Sequence, residues 1–176
     1  MSEKDDHETV YEEMNGESGL RKVAELLKHV RIAMLTTVAK DGSMSSRPMA
    51  MQNEPFDGTL WFLTRSSSDK VDEISEDQKV TLAFAEPKDS IYVALKGTAS
   101  VNQDRAKIKE LWNPIYKAWF PSGETDPQIA VLKVNVHQGD FWEASGSRLL
   151  RLARYAAAAV SGGSVPVGRA GHVEVS

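Results

Sequence analysis

Apolar positions recur in two different rhythms along this chain, and the switches between them mark its elements. Leu20, Val23, Leu26, Leu27 and Val30 return every three or four residues, which puts them on one face of a helix over residues 19–30. Ile32 to Val38 is β-branched and apolar and reads as a strand. Lys40-Asp41-Gly42 then turns the chain, Asp-Gly supplying the positive φ that a tight hairpin needs. Ser43 to Asn53 reads as a second strand, and Asp57-Gly58 leads into a third, Thr59–Thr64. Val71 and Ile74, three apart, suit a short helix from Asp69 to about Asp77. Lys79–Ala85 and Ser90–Asn102 are strands on either side of a Glu86-Pro87-Lys88-Asp89 turn. Asp104–Trp112 reads as a helix carrying Ile108, Leu111 and Trp112 on one face. Ile129–Val136 alternates as a sixth strand and runs on towards Trp142.

Six strands joined largely by hairpins, with a few short helices, predict a small antiparallel barrel rather than a parallel α/β sheet. The expected organisation is an acidic, flexible lead-in at 1–17, one domain at 18–154 and a weakly ordered tail at 155–176. In that tail Ala156–Ala159, which could instead extend a helix, gives way to Ser161-Gly162-Gly163-Ser164.

Composition narrows the classes. A chain of 176 residues with 41% hydrophobic and 26% charged residues suits one globular domain with a real core. The net charge of -4 offers no reason to expect nucleic-acid binding. Without cysteine there is no disulfide scaffold, thiolate zinc site or cysteine nucleophile, which suits a reducing cytoplasm. No stretch approaches the roughly 20 apolar residues of a membrane span. The acidic Met1–Asp6 opening does not resemble a secretory signal, so the expectation is a cytoplasmic protein with no membrane partner.

Candidate chemistry begins where the third strand ends. Ser66-Ser67-Ser68-Asp69-Lys70 joins hydroxyls, a lysine and a helix start, the parts of an anion cradle. Ser and Asp also cap helices without any ligand. Arg47 precedes Pro48, which holds it in extended geometry on an edge or bulge. An arginine there can fork onto a phosphate; alone it reads as a surface residue, and the nearby cradle shifts the reading towards a ligand. Trp142, after Phe141 and before Ser145-Gly146-Ser147-Arg148, reads as the rim of a pocket, whereas Trp112 and Trp119 read as packing residues. His7, His29, His137 and His172 share no metal-ligand spacing, and His137 reads as a satisfied strand-end histidine. The Gly-x-Ser-x-Gly and Gly-x-Gly-x-x-Gly patterns are both absent.

These residues, in this order, resemble the pyridoxamine 5′-phosphate oxidase-like, FMN-binding split-barrel proteins, and within them the bacterial general stress proteins. The likeness runs from about Leu20 to Arg148. It is carried by Ile32–Val38 with the Asp41-Gly42 turn, Ser46-Arg47-Pro48-Met49, Leu60–Thr64, Ser68-Asp69-Lys70 and Phe141-Trp142-Glu143. The resemblance implies a mainly β (α+β) fold, a six-stranded antiparallel split barrel with flanking short helices. It also implies a homodimer with FMN, or FAD, in each of two grooves at the interface. Arg47 and Lys70 would hold the phosphate with Ser68 beside them. The backbone around Pro48, Met49 and Ala50 and around Phe62, Leu63 and Thr64 would line the ring, and Trp142 would arrive from the other subunit. True pyridoxamine phosphate oxidases carry Arg-x-His after the last strand. Here Arg148 is followed by Leu149-Leu150, so vitamin B6 oxidation is not expected. The implied function is a flavin-binding general stress protein acting as a flavin-dependent oxidoreductase, with no catalytic residue assigned. The alternatives are a non-catalytic flavin store or sensor, and a split barrel using haem or a deazaflavin.

Overall fold

The computed structural model describes residues 10–28, 30–144 and 168–175. In chain order the elements are β1 (Val10–Asn15), α1 (Gly16–Leu27), β2 (Ile32–Val38), β3 (Met44–Ala50), β4 (Thr59–Arg65), α2 (Asp69–Glu76), β5 (Lys79–Glu86) and β6 (Ile91–Asn102). They are followed by α3 (Arg105–Leu111), two 3-10 turns (Pro114–Ala118 and Gly123–Thr125), β7 (Ile129–Glu143) and β8 (Arg169–Glu174).

The strands lie in the order β1-β8-β7-β6-β5-β2-β3, with β4 joined to β7. All six expected strands form. Every pairing is antiparallel except that of β1 with β8. The long β7 turns this sheet into a barrel. Its first half, from Ile129 to Asn135, is flanked by β4 and β6, and its second half exchanges β4 for β8. The β6–β7 register slips between Lys96 and Gly97, a bulge that bends both strands. Among the described residues no ladder joins β3 to β4, so the barrel stays open along a seam between them. Pro48, which has no N–H to offer, sits on β3 at one lip of that seam.

Alternation along the strands sends Leu35, Leu82, Phe84, Leu95, Phe62 and Leu132 inward, and α1 lays Val23, Leu26 and Leu27 against them. A smaller core forms beneath α3 from Ile108, Leu111, Phe120, Ile129 and Val131. The Asp-Gly turns behave as expected. Gly42 has φ 83° and Gly58 has φ 101°, and the Asp41 carboxylate accepts from the Ser43 N–H at 2.9 Å.

Boundaries differ where pairing, which the pattern of one segment does not show, decides them. β3 stops at Ala50 because its partner β2 begins opposite it, at Ile32. Ser90 takes φ 55° in a turn, so β6 begins at Ile91. β1 falls in the segment expected as a flexible lead-in (1–17) and β8 in that expected as a weakly ordered tail (155–176); each is six residues long and finds its hydrogen bonds only on another part of the chain. Residues 155–167 of the expected tail, and Arg148-Leu149-Leu150, lie outside the described residues. No helix among the described residues is long and apolar enough to cross a membrane.

Candidate functional site

The seam between β3 and β4 opens into a cavity of about 440 Å³. Pro48, Met49 and Ala50 of β3 form one lip, and Leu63, Thr64 and Arg65 of β4 form the other. Ser68 and Lys70 stand where β4 passes into α2, and Tyr116, Trp119 and Phe120 close a further side. The fold therefore places an apolar slot at the unpaired β3–β4 seam, with a lysine at its end.

Lys70 is fixed by two hydroxyls. Its Nζ donates to Thr64 Oγ1 and to Ser68 Oγ, each at 3.1 Å. Ser68 occupies the N-cap of α2, yet its side chain makes no capping bond; its hydroxyl donates to the Arg65 carbonyl at 2.8 Å. The plain helix-cap role is thus not the one this serine plays. An ammonium has three donors, so one remains for a ligand. Burial and the nearby Arg47 charge push the Lys70 amine below its ordinary value, in that order of importance, while Asp69 and Glu73 pull the other way. Among the described residues no carboxylate lies within ion-pairing distance of it. A part-buried cation bonded only to neutral hydroxyls is a receptor for an anion.

Arg47 is placed differently from the expectation. It does not line the cavity: its guanidinium reaches across to α2, where Nη2 bonds Glu73 Oε2 at 2.8 Å and Nη1 bonds the hydroxyl of Thr37. Phe62, expected to line the ring through its backbone, turns its side chain away from the cavity. Its side chain is fully buried in the main core, on the opposite face of β4 from Leu63. Trp142 lies on a second, apolar hollow of about 490 Å³ with Met34, Ala83, Tyr92 and Ala94. Ile32 borders both hollows. Pro48, Met49, Ala50, Leu63, Thr64, Ser68 and Lys70 are therefore brought together, while Arg47, Phe62 and Trp142 stand off the cavity of a single chain.

Sequence reading missed the third wall. Trp112 packs against the smaller core as expected, but Trp119 is exposed on the cavity beside Tyr116. The signal was present: Asn113-Pro114 is a helix-start pair, and Asn113 Oδ1 accepts from the Ile115 N–H at 3.1 Å. Tyr116 donates its hydroxyl to Gln52 Oε1 at 3.2 Å, and the buried Gln52 Nε2 has no partner among the described residues. His137 bonds Thr98 at 3.1 Å and His172 bonds Asp140 at 2.8 Å. No group of three metal-ligating side chains occurs among the described residues.

Comparison with known proteins gives a consistent set. The family model described as "Pyridoxamine 5′-phosphate oxidase like" matches residues 18–166. The Neurospora crassa protein bli-3 is 30% identical over 116 residues, 60% of this chain and 56% of that protein. The chain thus spans little more than half the length of this curated relative. A structure from Jannaschia sp. CCS1 assigned to general stress protein 26 superposes with a TM-score of 0.74 at 25% identity, covering 88% of this chain and 96% of that one. The general stress FMN/FAD binding protein of Xanthomonas citri gives a TM-score of 0.63 at 28% identity, covering 73% of this chain and 90% of the other.

Proposed function

This chain belongs to the pyridoxamine 5′-phosphate oxidase-like family, and from that premise we propose that it is a cytoplasmic, FMN-binding general stress protein acting as a flavin-dependent oxidoreductase. The observation that carries the reading is Lys70, held by Thr64 and Ser68 at the end of an apolar slot with no carboxylate partner among the described residues. The residues present fit a phosphorylated planar ring. Lys70 and Ser68 suit the phosphate, and Pro48, Met49, Ala50 and Leu63 suit a flat ring with few polar atoms. Arg47 supports the site from behind, its positive field reaching Lys70 while Glu73 holds its position.

When bound, FMN supplies hydride and electron transfer. The chain's own contribution is to bind and orient: the lysine fixes the phosphate end, and the slot excludes water from the ring. The description of the Xanthomonas citri relative as an FMN/FAD binding protein supports a flavin and leaves FAD as the alternative ligand.

The reading includes a homodimer. Ile32, Met34, Tyr92 and Trp142 are all at least 40% exposed and share the outer face of the sheet beside the cavity. An apolar face of this kind suits a second copy of the chain, which would bring its own surface against the seam. Titration of the purified protein with FMN and with riboflavin, followed by turnover with NADH or NADPH, tests the function. Tight FMN binding with flavin reduction is the expected result; equal affinity for riboflavin would remove Lys70 from its role, and absence of any flavin binding would overturn the reading.

A further inference from the structure

We infer that Trp119 and Tyr116 form the wall on which the flavin ring stacks, supplied by the same subunit that supplies Lys70. This rests on the flavin reading above and assigns the ring-facing aromatics to residues that sequence reading placed in the packing or passed over.

Trp119 is 56% exposed, whereas Phe120 beside it is 4% exposed. Two neighbouring aromatics thus have opposite fates: Phe120 is committed to the smaller core, and the indole is left bare on the cavity. Its backbone is nevertheless tied down. The Trp119 N–H donates to the Tyr116 carbonyl at 2.9 Å, and the Trp119 carbonyl accepts from Arg65. That guanidinium also bonds Gln128 at 2.8 Å and lies 5.3 Å from the Phe120 ring centroid. Tyr116 is anchored at its hydroxyl by Gln52. The Tyr116 and Trp119 rings sit 6.3 Å apart at 52°, so the pair forms an angled wall rather than a closed stack.

An anchored backbone carrying an exposed indole is a surface prepared in advance, since little order remains to be imposed on binding. Aromatic faces hold planar rings by stacking, tolerant of their substituents. One cavity joins this wall to the Lys70 hydroxyl cradle, so a ligand using both must carry a phosphate and a planar ring. A simple sugar phosphate would use the cradle and ignore the wall.

The test is FMN titration of the full chain, comparing the unaltered protein with Trp119→Ala and Trp119→Phe, together with the emission of the bound flavin. Because Trp119 is exposed, both variants should melt with the unaltered protein. Trp119→Ala should weaken FMN binding about tenfold, a typical loss for one stacked ring. Trp119→Phe should stay within about threefold in affinity, since a ring remains. The bound flavin should nevertheless emit more strongly when Trp119→Phe is combined with Tyr116→Phe, because phenyl does not quench an excited flavin by electron donation as indole and phenol do. A purely structural pair would not move that emission. If the unaltered protein binds FMN, both Trp119 variants match it in affinity and the double variant matches it in emission, the inference is overturned. If the unaltered protein binds no FMN, the flavin reading fails and the inference falls with it.

Discussion

Glu73 on α2 accepts a hydrogen bond at 2.8 Å from Arg47 on β3, and the fully buried Thr37 hydroxyl bridges the same two residues. The arginine that sequence reading assigned to the phosphate is thus engaged by Glu73 and Thr37 outside the cavity lining, which includes Lys70. The Glu73 carboxyl is held below its ordinary range, first by the Thr37 hydroxyl and then by Arg47, against the opposing effect of burial. A carboxyl depressed in the folded state contributes stability above its unfolded pKa, near 4.5, and loses that contribution as pH falls through the folded value. Glu73→Gln should thus melt below the unaltered protein at neutral pH, and the gap should shrink under acid. Thermal melts of both proteins from about pH 7 to about pH 3 check this; a gap that stays constant would rule out the linkage.

Lys70→Ala should weaken FMN binding by about 1.5–3 kcal/mol, the range for a hydrogen bond to a charged group, and leave riboflavin binding nearly unchanged. Loss of affinity for both ligands alike would mean that the lysine shapes the slot instead of holding the phosphate.

Adjacent residues on β4 should separate fold from site. Phe62 is fully buried in the main core, so Phe62→Ala should cost about 3–5 kcal/mol in chemical denaturation. Leu63 lines the cavity, and Leu63→Ala should lower flavin affinity at a smaller cost in stability. Equal destabilisation by the two would contradict the opposite facing of these side chains.

Met34 is 40% exposed on the sheet face that the proposed dimer covers. Met34→Asp should leave the monomer folded and shift the protein towards monomer in sedimentation, because it would bury an unpaired charge at the interface. FMN should favour the dimer if the grooves are shared, so dilution of the unaltered protein should weaken apparent FMN affinity. A monomer that binds FMN with full affinity would end the shared-groove reading and with it any part for Trp142.

Short-range pattern was enough to reveal the strands between Ile32 and Glu143, the two Asp-Gly turns and the Ser66–Lys70 junction between β4 and α2, because each depends on side-chain alternation or on a few neighbouring residues. That information is local, so the sequence carries it by itself. Tertiary structure alone decided the rest. β1 and β8 exist because residues some 160 positions apart pair with each other, as Val10 does with Arg169. Arg47 is paired with Glu73, which stands 26 residues away on another element. Trp119 became a cavity wall because Arg65, 54 residues before it, fixes its backbone at the lip of the seam. Each of these follows from hydrogen bonds and charges that meet only after the chain has folded, and no periodicity within a single segment records them.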